Sequence, residues 1–357
     1  MKKISIITLN IPGLDPAGKI VGDLLTLYPS VEIDFYYKKG VIPNIPTFNA
    51  IKFKNIDDIL HTAWNTSDAI IWFAATGIVV RKIASLLVSK TQDPANLVIN
   101  LSRTQVIPLL SGHIGGANEL ADDLCYINND MVSFVTTATD STQTFAFDMF
   151  AKKYGLTIVN IHKLAEISNN LINRKKISLI TYEAVFNMLL KEGLKKEQCE
   201  FINVEYFKNS IKPAYPAVPI SACPNKIEND MLKLNIDTIS LGIGLRKGVS
   251  TKEMIENFYD FLEQTLIPKA SIKTIASFDA KKNEKALLDL CEELIIQPKF
   301  YAKQDINRRQ EDFSKSRATD FFDIKGVAEP CAILGARNCI LFIEKISYSK
   351  TTIAAAF

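Results

Sequence analysis

Short apolar runs alternate with amphipathic stretches along the N-terminal part of this 357-residue chain. Residues 4–9, 31–36 and 68–73 are typical of buried strands, and residues 116–127 give the clearest helix pattern. In that helix the apolar side chains recur at i, i+3, i+4, i+7 and i+8, which places them on one face. Strands that alternate with helices predict a mostly parallel sheet covered on both faces. We therefore predict the α/β fold class.

The same alternation returns in the last third of the chain, beyond a region of different composition. Residues 155–235 are richer in Asn, Lys and Pro, and four prolines fall within residues 212–224. We interpret this region as a small middle part that ends in a linker. The predicted organisation is an N-terminal α/β domain at 1–140, a small middle domain and linker at 141–234, and a C-terminal α/β domain at 235–357. Both terminal domains should contain mostly parallel sheets.

Composition and charge narrow the classes of partner and compartment. A net charge of +3 is too small to favour a nucleic-acid partner. The six cysteines include no CxxC pair, which favours reduced thiols over disulfides or a zinc site. The longest apolar run, at 69–80, is shorter than the roughly 20 residues that a membrane span needs. We expect a cytoplasmic protein without nucleic-acid or membrane partners. A homodimer is one possible oligomeric state.

Four polar clusters closely follow predicted strands. They are Thr76-Gly77, Ser111-Gly112-His113, residues 136–140 and residues 242–248. In open parallel sheets ligands bind beyond the carboxyl ends of the strands, so clusters at that edge can share a ligand. One such cluster is ordinary loop chemistry, but four together predict a site.

The second cluster continues as SGHIGGAN, which places glycines around one of only three histidines in the chain. Gly115 and Gly116 stand where the predicted helix begins, and the first N–H groups of a helix attract anions. A histidine beside that end tends to stay neutral near pH 7, so His113 can serve as a base or as a hydrogen-bond donor. The alternative is that Ser111 or His113 only caps the helix while the glycines allow tight packing.

The fourth cluster contains a basic pair between glycines. Arg246 and Lys247 are suited to bind a carboxylate or phosphate, although such a pair is often merely solvated. Residues 250–253 match a capping box, which predicts that a helix begins at Thr251. Arg81 follows an apolar run and either reaches solvent or binds an anion. The glycine spacing does not match the dinucleotide-binding motif, and no phosphate-binding loop motif is present.

Five segments together resemble the CbiG family of cobalamin biosynthesis, the cobalt-precorrin-5A hydrolases. They occur in the family's order at residues 75–95, 107–121, 136–140, 242–250 and 326–333. The resemblance implies that water opens the δ-lactone of a cobalt-containing macrocycle and that two carbons leave as acetaldehyde, giving cobalt-precorrin-5B. Cobalt would arrive with this corrinoid substrate, so no cofactor of the protein's own is expected. Leu245 departs from the family, which often has Cys there.

The resemblance also implies roles for particular residues. His113 would be the catalytic residue, with Glu119 a weaker candidate to orient it or a water. The implied substrate-binding residues are Arg81, Ser111, Gly112, Gly115, Gly116, Asn118, Thr137, Asp140, Arg246, Lys247 and Glu329. Two other functions stay open: a non-catalytic corrinoid carrier, in which His113 could contact cobalt, and a nucleotide-binding protein. The sequence assigns no role to the middle domain.

Overall fold

The computed structural model describes residues 1–39, 48–90, 92–136, 144–204, 213–223, 230–309, 313 and 323–357. Its contacts divide the chain into two compact units, Met1–Gln143 and Thr144–Phe357. The predicted α/β class is confirmed. Each sheet of the described residues contains parallel strands, and helices alternate with the strands along the chain. The division into three domains stays a prediction. None of the described helices is long and apolar enough to cross a membrane.

The first unit has one sheet whose described strands run in the order β3-β2-β1-β4-β5-β6-β7. Its elements are β1 (Lys3–Thr8), α1 (Leu14–Leu27), β2 (Glu32–Tyr37), β3 (Asn49–Lys52), α2 (Asp57–Thr66), β4 (Ala69–Phe73), α3 (Thr76–Ile83), β5 (Ala95–Ile99), β6 (Gln105–Leu110), α4 (Ala117–Ile127) and β7 (Val132–Ser133). Strands β1 to β5 are parallel to one another. Strand β6 runs antiparallel to β5, and β7 runs parallel to β6.

Both faces of this sheet are buried, which explains why its central strands read as continuous apolar runs. On one face, Ile4 and Ile6 of β1 pack with apolar side chains of α1 and α4. On the other face, Ile7 packs with Trp72 of β4 and with side chains of α2 and α3. The sequence therefore predicts β1 and β4 well, because burial on two faces leaves little room for polar residues.

The second unit begins with a sheet in the order β10-β9-β11-β12-β8. Its elements are α5 (Phe147–Tyr154), β8 (Thr157–Val159), α6 (Leu164–Ile172), β9 (Ile177–Thr181), α7 (Glu183–Lys191), β10 (Cys199–Asn203), β11 (Ala217–Ser221) and β12 (Lys233–Asn235). Strand β11 is buried throughout and pairs with β9, so the linker interpretation is wrong for this strand. Its Pro219 lies in register with Ile180, and pairing with β12 starts only at Ile220, so the missing N–H does not interrupt that pairing.

The second sheet of this unit has the order β15-β14-β13-β17-β16. Its elements are β13 (Ile239–Leu245), α8 (Thr251–Thr265), β14 (Ile272–Phe278), α9 (Lys285–Leu294), β15 (Lys299–Tyr301), α10 (Lys303–Asn307), α11 (Ala328–Gly335), β16 (Leu341–Ser347) and β17 (Thr351–Ala356). One continuous apolar core joins both sheets of the unit. Within it the rings of Tyr182 and Phe342 pack edge to face, with centroids 4.7 Å apart.

Candidate functional site

Residues 111–116, which we call the histidine loop, follow the carboxyl end of β6. Because β6 is antiparallel, Leu110 lies in register with Asn96 at the amino end of β5. Thr76, by contrast, begins α3 just beyond the carboxyl end of β4, which is parallel to β5. The two clusters therefore lie at opposite edges of the sheet. The prediction that they share an edge is wrong, since the pattern of apolar residues does not reveal the direction of a strand.

The shape of the histidine loop requires glycine at two positions. Gly116 has φ 86°, in the left-handed region, immediately before α4. A Cβ at Gly115 would lie 2.3 Å from Cβ of Ser111, so the loop closes on itself only with glycine there. Ser111 itself has φ 56°. These glycines are explained by packing and backbone conformation, without a ligand.

Several N–H groups at the start of α4 already have partners. Gly116 N donates to the carbonyl of His113 at 3.0 Å, Ala117 N to that of Ser111 at 3.1 Å, and Asn118 N to that of Gly112 at 3.0 Å. These donors were the ones expected to meet the oxygen atoms of a substrate. In this conformation they hold the loop against the helix instead, so only the partial positive charge of the helix end is left to act on an anion.

A second segment of the chain anchors the histidine loop. The Ser111 hydroxyl donates to the carbonyl oxygen of Asp93 at 2.9 Å. The Asp93 carboxylate in turn accepts from the backbone N–H of Val88 at 3.0 Å. Asp93 and Pro94 lie in the turn before β5. The contacts show that this turn joins the chain beyond α3 to the histidine loop.

The two residues predicted to be catalytic differ in their surroundings. His113 is half-buried within the loop, whereas Glu119 is exposed in the first turn of α4. Burial raises the pKa of the Tyr28 hydroxyl, and so do its hydrogen bond to Asp123 and the negative charges of Asp123 and Glu119. The negative charge of Glu119 thus reaches the hydroxyl of Tyr28, the residue that follows α1.

Other predicted residues of the first unit are spread along the chain. Asn118 is half-buried at the start of α4, beside Gly112. Arg81 is exposed on α3, and its Nη1 donates to the Gly77 carbonyl at 3.0 Å. Its guanidinium therefore folds back towards the start of α3, at the opposite edge from the histidine loop. Thr137 and Asp140 lie outside the described residues.

The glycine cluster of the second unit lies mainly within a strand. Gly242 and Gly244 belong to β13, not to a ligand-binding loop. A Cβ at Gly242 would lie 1.8 Å from the Ala328 carbonyl oxygen, so this glycine lets the backbone of α11 approach the sheet. The loop after β13 is therefore shorter than the glycine motif predicts. The motif misleads because glycine is required both where a helix backbone packs closely and where a ligand approaches closely.

Arg246 and Lys247 are exposed in the turn after β13. Neither forms an ion pair with any residue in the described part of the chain. The turn continues through Gly248, at φ 81°, to Ser250, whose hydroxyl accepts from Glu253 N at 3.1 Å. The predicted helix start at Thr251 is confirmed. The turn therefore presents two exposed cationic side chains just before the capped start of α8.

Glu329 lies inside the fold. It is 3 % exposed in the first turn of α11, and its Oε1 accepts from the backbone N–H of Lys345 on β16 at 3.2 Å. This bond fastens α11 to β16. Within the described ranges, no group of three or more His, Cys, Asp or Glu side chains is placed to hold a metal ion.

Two family models match this chain in the regions just described. "Cobalamin synthesis G N-terminal" matches residues 58–140, and "Cobalamin synthesis G C-terminus" matches residues 239–356. Together they account for more than half of the chain. The chain belongs to the CbiG family. The two CbiG models include the histidine loop and the Arg246–Lys247 turn, and they leave out the sheet of β8 to β12.

Curated relatives support membership of the CbiG family along most of the chain. A cobalt-precorrin-5A hydrolase of Priestia megaterium is 26 % identical over 308 residues, 84 % of this chain and 80 % of the relative. A cobalt-precorrin-5A hydrolase of Salmonella typhimurium is 29 % identical over 240 residues, 64 % of each chain. A probable cobalt-precorrin-5A hydrolase of Methanocaldococcus jannaschii is 24 % identical over 298 residues, 80 % of this chain and 84 % of the relative.

Proposed function

We propose that this chain is a cytoplasmic cobalt-precorrin-5A hydrolase, which opens the δ-lactone of its substrate, releases acetaldehyde and yields cobalt-precorrin-5B. Cobalt enters as part of the substrate, and the protein needs no cofactor of its own. The observation that carries the proposal is that each of the two CbiG models covers a region with accessible polar side chains. These are the half-buried His113 in its loop and the exposed cations Arg246 and Lys247.

His113 acts as the general base. Its neutral imidazole takes a proton from a water molecule while the water oxygen adds to the lactone carbonyl. The ester C–O bond then breaks, leaving an alkoxide and a carboxylic acid, which loses its remaining proton to solvent. When the alkoxide becomes a carbonyl, the adjacent C–C bond breaks, acetaldehyde leaves and the electron pair passes to the macrocycle. Base catalysis of this kind is typically worth about 10²–10⁴-fold in rate.

The oxyanion of the tetrahedral intermediate needs stabilisation near His113. Since Gly116, Ala117 and Asn118 already donate their N–H groups to the loop, we assign stabilisation to two other sources. One is the positive end of α4, which favours nearby negative charge without a direct hydrogen bond. The other is the imidazolium that His113 becomes after it takes the proton. Both stabilise the oxyanion more than the uncharged lactone, which is the condition for raising kcat.

The cations of the second unit bind the rim of the substrate. A corrinoid precursor carries several carboxylates, and Arg246 and Lys247 are exposed without ion pairs among the described residues. Arg pairs with carboxylates in a bidentate manner, so Arg246 contributes orientation as well as affinity. Arg81 lies at the opposite edge of the sheet from the histidine loop and donates to the Gly77 carbonyl, so we assign it no part in this binding.

The decisive experiment is incubation of the purified protein with cobalt-precorrin-5A and an assay for acetaldehyde. We expect catalytic release of one acetaldehyde for each substrate molecule consumed. The alternative function, a corrinoid carrier, predicts binding without release. Substrate that binds the protein but yields no acetaldehyde would overturn the proposal and favour the carrier.

A further inference from the structure

An exposed apolar segment lies beside the histidine loop. Leu87 is 47 % exposed and Val88 is 73 % exposed in the stretch of chain that follows α3. Burying such side chains against a partner is favourable by about 25 cal/mol for each Å² of apolar surface. Lys90 is exposed two residues further along. We call residues 87–90 the apolar segment.

The link between the apolar segment and the histidine loop is direct. The backbone of Val88 donates to the Asp93 carboxylate at 3.0 Å, and Asp93 N donates to the Ser89 carbonyl at 2.9 Å. The Asp93 carbonyl accepts from the Ser111 hydroxyl at 2.9 Å. One residue, Asp93, thus holds both segments at the amino end of β5.

We propose that the apolar segment binds the corrinoid macrocycle, with Leu87 and Val88 against its ring and Lys90 at one of its carboxylates. This inference rests on the proposed function, because it takes His113 as the reacting end of the same site. A corrinoid combines a broad apolar ring with a rim of carboxylates. The apolar segment is complementary to both features. Leu87 and Val88 are exposed aliphatic side chains for the ring, and Lys90 is an exposed cation for a carboxylate.

The test compares Leu87→Ser/Val88→Ser with a matched double variant. The chain offers Leu101 and Val132 as controls, which are 45 % and 56 % exposed in the same unit. All four side chains are exposed, so both double variants should fold. The probe is cobyrinic acid, a cobalt corrinoid without the lactone, whose binding is measured by fluorescence quenching. We expect the Kd to rise about tenfold in Leu87→Ser/Val88→Ser and to stay unchanged in the control.

Charge reversal supplies an independent measurement. Lys90→Glu should raise the Kd for cobyrinic acid more at low salt than at high salt, because salt screens an exposed charge. Equal Kd values in the two double variants would overturn the inference. So would a shift from dimer to monomer in Leu87→Ser/Val88→Ser on size-exclusion chromatography, which would assign the segment to an interface between two copies. The proposed function is judged separately, by acetaldehyde release from the unaltered protein.

Discussion

At the scale of single residues, the role of His113 depends on whether its ring accepts a proton or only donates a hydrogen bond. His113→Ala and His113→Asn should both fold, since Ser111, Gly115 and Gly116 hold the conformation of the loop. Both should bind the corrinoid and lose about 10²–10⁴-fold in kcat for acetaldehyde release, because neither Ala nor Asn can act as a base. Steady-state kinetics on the two variants measures this.

The chain supplies its own control for that measurement. His61 is exposed on α2, so His61→Ala removes a histidine from the same unit without touching the histidine loop. Its kcat should match that of the unaltered protein. Near-normal turnover in His113→Asn alone would show that the side chain polarises the substrate. Near-normal turnover in His113→Ala as well would leave His113 a residue that shapes the loop.

At the scale of elements, Gly242 sets how closely α11 approaches β13. Gly242→Ala would place a Cβ 1.8 Å from the Ala328 carbonyl oxygen, and both residues lie in regular secondary structure that cannot yield locally. We expect a loss of about 3 kcal/mol in the free energy of unfolding, at the upper end of the usual cost of overpacking. Denaturant unfolding followed by circular dichroism measures it.

Gly22 provides the matched substitution in a helix. A Cβ there would meet nothing within 4 Å, and Gly22 lies inside α1. Gly22→Ala should therefore stabilise the protein by about 0.5–1 kcal/mol, since alanine loses less backbone entropy on folding. If Gly242→Ala unfolded at the same denaturant concentration as Gly22→Ala, the close approach of α11 would not be what requires glycine.

Glu192 joins α5 to α7 through a pH-dependent contact. Its carboxylate contacts Lys153 Nζ at 2.6 Å and accepts from the Tyr154 hydroxyl at 2.6 Å. The hydrogen bonds from Lys153 and Tyr154 lower the pKa of Glu192 below its ordinary value of 4.5, against the opposing effect of burial. Because the folded pKa is the lower one, the contact stabilises the fold above about pH 4.5 and is lost as the pH falls through the folded pKa.

The change that tests this contact is Glu192→Gln. It should cost at most about 1 kcal/mol of unfolding free energy at pH 7, since the pair is partly solvated. The difference from the unaltered protein should vanish at acid pH. Thermal unfolding from pH 7 down to pH 3 follows it, with Glu263→Gln, an exposed position on α8, as the control. A pH-independent difference would contradict the assignment.

At the scale of the whole molecule, the sequence predicts those features that burial alone dictates. Strands β1 and β4 stand out because they are apolar on both faces, and α8 begins directly after its capping residue, Ser250. The direction of β6 does not follow from the same pattern, because apolar residues alternate identically in either direction. That one reversal moves the histidine loop to the other edge of the sheet.

Two other features could not be predicted, for related reasons. Strand β11 contains Pro219 among several nearby prolines, and proline usually marks a turn or linker. Its place in a buried sheet depends on β9 and β12, which are distant in sequence. Gly242 suggested a ligand-binding loop, whereas α11 is what approaches it. In each case the deciding contact is tertiary, so no local pattern contains it.

The continuous core of the second unit leads to a prediction about its cooperativity. Leu179 of β9 and Leu241 of β13 belong to the same buried cluster, although their sheets are separate. Leu179→Ala removes buried methyl groups and should cost about 2–5 kcal/mol. If the two sheets unfold together, that cost appears as faster amide hydrogen exchange in β13 and β17 as well as in β9 and β11. Hydrogen exchange with mass spectrometry reads all four strands at once. Faster exchange confined to β9 and β11 would instead show that residues 144–236 form a domain that unfolds independently of β13 to β17.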